Sequence, residues 1–413
     1  MKRTADVLVV GGGPAGSAVA ILLARAGFQV CLLDKRHFPR EKPCGEYLSP
    51  GCVPLLKRLG VLHILEEIGS QPIWGMRVET SAGTFFTGTY PGEAVPPHGY
   101  ALPRERFDTL LFEAARCAGV ECLEGWRVVD LIRAGHRVAG VIGASNGRTR
   151  HFTAALTIGA DGRNSVVARR LGLFASHPSH RKVAFVQRFQ MPAELGGLGE
   201  VYLGRAGYCI LNPQRAATAN VAAVVDQRDL PLRRPWEEVF RELLAAYPSV
   251  RRKLIGAAPL NSLQILGPLA CRVKRIVGDG FLLVGDAAGY YDPMTGEGIY
   301  QALKGAELAA DTVAEGPRQK EAPFAALEPY AVAYRREFDP KERVCQLLQQ
   351  IVRRPLLCQV LVRNLQGRRE QTQELMGVVG DLLPAHRLLR PGFLASLLVA
   401  GVPSLTRLVR CAR

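Results

Sequence analysis

The sequence predicts an α/β fold in which a parallel-sheet domain is interrupted by a β-rich insertion and followed by a helical extension. The first observation is an uncharged strand pattern at Val7–Val10, followed by a glycine-rich turn, an apolar helix and a second strand at 29–33. The second is a series of strand patterns between about 176 and 266, which is typical of an antiparallel sheet. The third is another buried strand at 281–284 with a helix after it, beyond which the chain from about 322 has helical patterns.

These patterns divide the chain into four segments. We predict that residues 1–175 and 271–320 form the two parts of the parallel-sheet domain, and that 176–270 form the insertion. Residues 321–413 form the helical extension. A chain of 413 residues is long enough for two coupled domains, and 48% hydrophobic residues predict a sizeable core. Further strands are expected at 127–141 and 150–158, and helices at 102–119 and 236–246.

The turn after the first strand fits the pattern G-x-G-x-x-G, within a complete strand–helix–strand unit. Glycines there allow a tight turn and a close approach of the backbone to a pyrophosphate, and the helix N-terminus offers free N–H groups. An acidic residue ends the second strand, where it would accept hydrogen bonds from a ribose. The unit therefore predicts a dinucleotide site, with a purely structural turn as the alternative. Its predicted cofactor-binding residues are Gly11, Gly13, Pro14, Ala15, Gly16, Asp34 and Lys35.

Three blocks of the sequence carry a family resemblance: VLVVGGGPAGSAVAILLARAGFQVCLLDK, TIGADGRNSVVARRLG and FLLVGDAAGYYDPMTGEGIYQAL. Together they resemble one superfamily, the FAD-dependent oxidoreductases that include aromatic-ring monooxygenases, flavin halogenases and geranylgeranyl reductases. The resemblance implies FAD as the cofactor, NAD(P)H as the electron donor and an FAD domain of the glutathione-reductase type. It covers about residues 4–315.

The resemblance also implies roles for individual residues. Asp286 would hydrogen-bond the ribityl chain of FAD, and backbone N–H groups near the helix after it would face the flavin pyrimidine edge. Arg104 would contact FAD, although a solvated helix charge is the alternative. Asp161 belongs to a fingerprint that contacts the pyrophosphate region indirectly and assists NAD(P)H use. The remaining cofactor-binding residues that it implies are Gly285, Pro293, Gly296, Gly298 and Ile299.

Within the superfamily, the sequence is closest to the reductase branch. Gly289 stands where ring hydroxylases typically carry a histidine, and KPCGEYLSP resembles the cysteine-bearing flavin loop of geranylgeranyl reductases. The segment GYCILNP resembles their substrate motif but lacks its tryptophan, which leaves the substrate open. The halogenase motif W-x-W-x-I-P is absent from the sequence. We expect reduction of an alkene in a bulky isoprenoid- or polyketide-like substrate, with a monooxygenase or a flavin-binding membrane-associated adaptor as alternatives.

Two residues of the loop are candidate catalytic residues. Cys44 could donate a proton during alkene reduction, and the neighbouring Lys42 and Arg40 would favour its thiolate. The alternative is a small residue that lets the loop lie against the cofactor. Glu46 could orient substrate or water, or be a solvated loop charge.

The net charge of +16 is concentrated toward the end of the chain, where residues 341–413 hold twelve basic and four acidic residues. We expect no nucleic-acid partner, because no zinc-finger or RNA-binding motif accompanies this charge. Histidine and cysteine spacings suggest no metal site, and the sequence predicts a cytoplasmic protein with free thiols. Residues 382–413, with five arginines and no acid, predict either a peripheral helix on anionic membrane or a helix packed on the catalytic domains.

Overall fold

The structure, a computed structural model, describes residues 4–92, 97–177, 180–231, 233–316 and 321–393. The strands in these ranges are β1 (Val7–Val10), β2 (Val30–Leu33), β3 (Tyr47–Leu48), β4 (Gln71–Ile73), β5 (Gly75–Thr80), β6 (Phe85–Thr89), β7 (Gly99–Ala101), β8 (Glu121–Leu123), β9 (Arg127–Ala134), β10 (Arg137–Ser145), β11 (Arg148–Thr153), β12 (Leu156–Gly159), β13 (Phe174–Ser176), β14 (Lys182–Gln190), β15 (Leu198–Leu203), β16 (Gly207–Gln214), β17 (Thr218–Asp226), β18 (Ala258–Pro259), β19 (Gln264–Leu266), β20 (Cys271–Val273), β21 (Val277–Gly278) and β22 (Phe281–Leu283).

The helices in the same ranges are α1 (Pro14–Arg25), α2 (Cys52–Arg58), α3 (Leu62–Glu67), α4 (Arg104–Cys117), α5 (Val166–Arg170), α6 (Trp236–Ala245), α7 (Pro248–Lys253), α8 (Gly298–Glu315), α9 (Phe324–Val352), α10 (Pro355–Leu365) and α11 (Arg369–Val379). Short 3-10 turns lie at Gln227–Asp229, Gly285–Ala288, Pro293–Thr295 and Ala385–Leu389.

The first domain is built on a sheet with the strand order β21-β22-β12-β1-β2-β8. Strand β1 pairs in parallel with β12 and β2, so that Val7 lies between Leu156 and Val30. All four residues of β1 are buried, as a parallel strand covered on both faces requires. Helices α4 and α8 both pack on α1. The predicted βαβ unit is therefore confirmed.

Two glycines bring β1 and α1 together. A Cβ added to Gly16 would lie 1.8 Å from the carbonyl oxygen of Gly11, so only glycine fits there. Gly11 has a φ of +104°, and its own Cβ would lie 2.6 Å from the carbonyl oxygen of Ala160 on the neighbouring segment. These contacts place the N-terminus of α1 at the carboxyl edge of the sheet, where ligands bind in folds of this type.

The second sheet has the order β18-β14-β17-β16-β15-β5-β6, with β19 pairing β14. Its β14–β17 part is the predicted insertion, but β5 and β6 come from Gly75–Thr89, far earlier in the chain. The proposed 176–270 segment thus does not contain the whole sheet. Strand alternation identifies such strands only weakly, and pairing between distant segments leaves no local signal.

The two faces of the second sheet carry different layers. On β14, Val183 and Phe185 pack with α6, while Ala184 and Val186 face the side where α10 and α11 lie. This alternation follows the two-residue period of a strand. Helices α10 and α11 therefore cover the face of the sheet that borders the cavity described below.

The sequence also predicts one strand over 127–141 and a membrane-bound or packed helix over 382–413. The segment 127–141, predicted as one strand, is a hairpin of β9 and β10, because Gly135 takes a left-handed φ of +62° and turns the chain. In the basic 382–413 segment, Ala385 and Leu388 are buried against the domains, while residues 394–413 lie outside the described ranges. Within the described ranges, no helix is long and apolar enough to cross a bilayer.

Candidate active site

A continuous cavity runs from the N-terminus of α1, past the 42–47 loop, to the apolar face of the second sheet and helices α9 to α11. It brings together most of the predicted site residues. Those lining it are Gly13, Pro14, Ala15, Cys44, Glu46, Arg104, Gly285, Asp286, Pro293, Gly296, Gly298 and Ile299.

Other predicted residues lie outside this lining. Gly11 and Gly16 shape the β1–α1 turn. Asp34 is buried and already accepts hydrogen bonds from the backbone N–H groups of Gly12, at 2.7 Å, and Arg36, at 2.8 Å, so its role toward a ribose stays a prediction. Lys35 is exposed to solvent.

Asp161 also lies outside the cavity lining, although its neighbours Ala160 and Gly162 belong to it. Its carboxylate accepts a 2.6 Å hydrogen bond from Val166 N at the start of α5. Burial raises the pKa of Asp161. This carboxylate therefore ties its loop to the first N–H groups of α5, whose N-cap residue is Ser165.

The cavity fits a dinucleotide at its polar end. Helices α1 and α8 both begin there, and neither N-terminus is capped by a side chain, which leaves backbone N–H groups and positive dipole ends for phosphate and flavin oxygens. Arg40 lies beside this end, with one terminal nitrogen 3.5 Å from a Cβ built on Gly13. Its buried Nε has no hydrogen-bond partner in the protein, so it is a donor available to a bound anion.

Asp286 and Lys42 face each other across the cavity wall, with Nζ 3.7 Å from a carboxylate oxygen. Burial lowers the pKa of Lys42, and the Asp286 carboxylate offsets part of that effect. Asp286 keeps acceptor capacity toward the cavity because this contact is longer than a hydrogen bond. From the sequence Lys42 is visible only as a neighbour of Cys44, and its pairing with Asp286 is a finding of the structure.

Cys44 and Arg104 both line the cavity between its two ends, and the sulfur of Cys44 accepts a 3.4 Å hydrogen bond from the backbone N–H of Glu46. Arg104 also holds Asp108 through a bidentate ion pair, with distances of 2.7 and 2.9 Å. Burial alone would lower the pKa of Arg104, but Asp108 and Cys44 raise it above its ordinary value. Because Arg104 is buried, the solvated-charge alternative is wrong.

Glu46 is 6% exposed, so the alternative of a solvated loop charge is wrong. One carboxylate oxygen accepts from Arg104 N at 3.0 Å. The other accepts from Gln214 at 2.6 Å and Asn220 at 3.1 Å. Burial raises the pKa of the Glu46 carboxyl, and these donors lower it in part. Glu46 thus joins the loop, the start of α4 and the second sheet.

Sequence reasoning missed the polar side chains of the second sheet that hold this loop. Asn212 donates a 2.7 Å hydrogen bond to the carbonyl of Gly45, and it lies opposite Asn220 in the β16–β17 register. Gln214 follows two residues later, on the same face as Asn212. The sequence signal that could have identified these residues is the presence of amide side chains within strands that are otherwise apolar.

Beyond this polar patch the cavity is apolar. Its walls come from alternating residues of the second sheet and from helices α9, α10 and α11. These residues are Met76, Val78, Phe86, Ala184, Val186, Val201, Leu203, Ile210, Ala222, Val224, Leu348, Ile351, Val352, Leu361, Val362, Leu375, Met376 and Val379.

A protein-family model described as an FAD binding domain matches residues 4–331. The chain belongs to this FAD-binding family. Its curated relatives are FAD-dependent enzymes, and the chain is accordingly an FAD-dependent oxidoreductase. The predicted cofactor and general fold are confirmed, and the adaptor alternative is wrong because the family members are enzymes.

Two relatives represent different chemistries. Menaquinone reductase of Mycolicibacterium smegmatis is 30% identical over 329 residues, which cover 76% of this chain and 78% of that protein. The 6-methylpretetramide 4-monooxygenase of Streptomyces rimosus is 31% identical over 366 residues, or 83% of each chain. The family is therefore clear, while the reaction is not fixed by similarity alone.

A lipid-modifying relative and one solved structure complete the comparison. Digeranylgeranylglycerophospholipid reductase of Methanospirillum hungatei is 30% identical over 348 residues, covering 82% of this chain and 83% of that protein. A flavoprotein/dehydrogenase from Cytophaga hutchinsonii superposes with a TM-score of 0.82 at 20% identity, covering 98% of this chain and 99% of that chain. This last likeness concerns the fold.

The polar end of the cavity predicts that Asp286→Ala weakens FAD binding. The purified protein should be yellow and release FAD on denaturation, and the variant should lose affinity by about tenfold, the effect of roughly 1.4 kcal/mol. Titration of apoprotein with FAD, followed by flavin fluorescence, measures this. Asp130→Ala, which removes a half-exposed carboxylate near Arg170, is the matched control. Equal FAD affinity in wild type and Asp286→Ala would contradict the assignment.

Proposed function

We propose that this oxidoreductase uses NAD(P)H to reduce an alkene in a bulky hydrophobic substrate of isoprenoid or polyketide type. The observation that carries the proposal is the position of Cys44, between the FAD end of the cavity and its apolar end, with the backbone N–H of Glu46 bonded to its sulfur. A reductase needs a proton donor at this junction, because a hydride and a proton must reach the two carbons of the alkene.

Bound FAD would supply the hydride, having received it from NAD(P)H. The chain's own residues then provide the proton and the orientation. The Cys44 thiol gives its proton to the second alkene carbon, and the S–H electron pair stays on sulfur as a thiolate. The backbone N–H of Glu46, 3.4 Å from the sulfur, would donate a hydrogen bond to that thiolate. A proton from solvent restores the thiol.

The remaining loop residues hold this geometry. We propose that Glu46 is a positioning residue, since the three protein donors that it binds occupy both of its oxygens. A direct action of Glu46 on substrate or water stays a prediction. Asn212 supports the same loop through its hydrogen bond to the carbonyl of Gly45, the residue after Cys44.

The apolar walls support a hydrophobic substrate. Aliphatic, aromatic and methionine side chains from the second sheet and three helices would exclude water from an extended hydrocarbon. Two relatives are named as reductases of menaquinone and of digeranylgeranylglycerophospholipid, and a hydrophobic substrate for this chain is in line with those names. NAD(P)H as electron donor rests on the three-block resemblance.

A monooxygenase is the second candidate, because one relative of equal identity carries that name. In that reaction, oxygen and not a proton is transferred to the substrate. The Cys44 thiol would then have only a packing role, and its replacement would change turnover little.

Under the reductase proposal, Cys44→Ser keeps its FAD and its reduction by NAD(P)H but loses alkene reduction. Serine preserves the volume while making a far weaker acid, so the rate should fall by about 10², the usual contribution of one general acid. Menaquinone and digeranylgeranylglycerophospholipid are the first substrates to test, in D₂O under nitrogen, where the product should gain one solvent deuterium.

Cys122→Ser is the matched control, since that thiol lies on β8 outside the cavity lining. Equal turnover in Cys44→Ser and wild type would assign Cys44 to packing. Incorporation of ¹⁸O from labelled O₂ would assign the protein to the monooxygenase branch.

Membrane contact is a separate proposal, which would give a hydrophobic substrate a short route to the cavity. Helix α10 lines the cavity with Leu361 and Val362, while Leu356 on its outer face is 80% exposed. Arg353 and Arg354 are exposed beside it. In the sequence, residues 394–413 add three arginines and no acid. Exposed aliphatic groups beside arginines suit the surface of an anionic bilayer.

Removing residues 394–413 should weaken binding to phosphatidylglycerol vesicles while leaving the flavin spectrum unchanged. Truncation after Phe393 spares the buried Ala385 and Leu388, so the folded domains stay intact. Cosedimentation at low and high salt measures the effect, because salt screens charges beyond about 10 Å at 0.1 M. Phosphatidylcholine vesicles are the control. Absence of binding by the full chain, or equal binding after truncation, would contradict the proposal.

A further inference from the structure

A buried polar cluster lies directly behind the segment that lines the FAD end of the cavity. Its centre is Asp292, whose side chain is fully buried. The surrounding groups come from three other parts of the chain: Lys182 and Tyr208 from the second sheet, His180 before it, and Gln349 from α9. A buried carboxylate is tolerated only where hydrogen bonds and an opposite charge satisfy it.

Every oxygen of Asp292 is engaged. One accepts from Tyr208 OH at 2.6 Å, from Gln349 Nε2 at 2.8 Å and from Met294 N at 3.0 Å. The other lies 2.7 Å from His180 Nε2 and 3.2 Å from Lys182 Nζ. The carboxylate is therefore held in one orientation by four groups outside the segment that lines the cavity, and it also accepts from that segment through Met294 N.

The hydrogen bond from Met294 N connects this cluster to a residue that lines the cavity. Asp292 is the N-terminal cap of the 3-10 turn Pro293–Thr295, whose residues line the cavity together with Gly296. Gly296 follows with a left-handed φ of +74°, and Tyr47 packs so closely that a Cβ there would lie 2.9 Å from its ring. Two residues later α8 begins, without a side-chain cap. A shift of the turn would therefore move the first N–H groups of α8.

We propose that Asp292 is a positioning residue that does not touch the flavin. It holds segment 293–296 in the position where the backbone donors of this segment face the flavin edge. This inference rests on FAD occupying the cavity, and it is independent of whether the enzyme reduces or oxygenates its substrate. Backbone N–H groups and a helix N-terminus stabilise the anionic reduced flavin, so their displacement disfavours reduction.

Asp292→Ala removes the cap and all four anchoring contacts. We expect the FAD dissociation constant to rise by at least about tenfold, a loss of roughly 1.4 kcal/mol or more. We also expect the midpoint potential of the remaining bound flavin to become more negative. Asp292→Asn keeps an acceptor oxygen for Met294 N and Tyr208 OH but turns its NH2 group toward the buried Lys182, so it should lose clearly less affinity than Asp292→Ala. Fluorescence titration and anaerobic dye-coupled reduction measure both quantities without any substrate.

Asp226→Ala is the matched control, because Asp226 caps the 3-10 turn Gln227–Asp229 in the same way, through Arg228 N at 3.1 Å, but lies outside the cavity lining. It should change neither FAD affinity nor potential. Wild-type values in Asp292→Ala, or the same changes in the control, would overturn the proposal. If Asp292→Asn loses as much FAD affinity as Asp292→Ala, the proposal is also overturned, because the negative charge and not the cap would then be responsible.

If Asp292→Ala does not fold, Tyr208→Phe takes its place, because it removes one anchor while leaving the ring packed. A more negative midpoint potential is then expected, and an unchanged potential and affinity would contradict the role. If the wild-type protein binds no FAD, the cofactor assignment itself is refuted. This result is distinct from a failure of the role proposed for Asp292.

Discussion

The buried Glu46 carboxylate is the contact on which the geometry of the active site depends. It binds three donors that belong to the start of α4 and to two strands of the second sheet. Glu46 itself has a left-handed φ of 55°, a conformation that costs a residue other than glycine about 1–3 kcal/mol. The surrounding hydrogen bonds offset this cost, and they fix the loop that carries Cys44 only two residues away.

That loop lies between two environments that demand different chemistry. On one side are glycine turns, uncapped helix N-termini, Arg40, Lys42 and Asp286, which suit an anionic dinucleotide. On the other are the apolar walls of the second sheet and the C-terminal helices. Because the cavity is continuous, a hydrocarbon substrate would meet the cofactor at the loop that carries the thiol.

Local patterns predicted the cofactor end well and the substrate end poorly. Gly11 and Gly16 act within one βαβ unit, so their spacing is visible in the sequence, and the structure shows the close approach that requires glycine. The pairing of β5 with β15 and the bonds from Gln214 and Asn220 to Glu46 join residues more than a hundred positions apart. The sequence pattern singles out Asp161, but it does not show that the carboxylate of Asp161 accepts a hydrogen bond from the start of α5. That contact depends on the path of the loop.

The most direct test of this account is the accessibility of Cys44 when Glu46 is replaced by glutamine. A glutamine side chain has one acceptor oxygen and one amino group, so at least one of the present donors must face another donor. Alkylation of the FAD-loaded protein by iodoacetamide, resolved by site with mass spectrometry, reports the loop, and exposed Cys117 provides the internal reference. The account predicts that Cys44 reacts faster in Glu46→Gln than in wild type while Cys117 does not change. Equal Cys44 rates in the two proteins would contradict it.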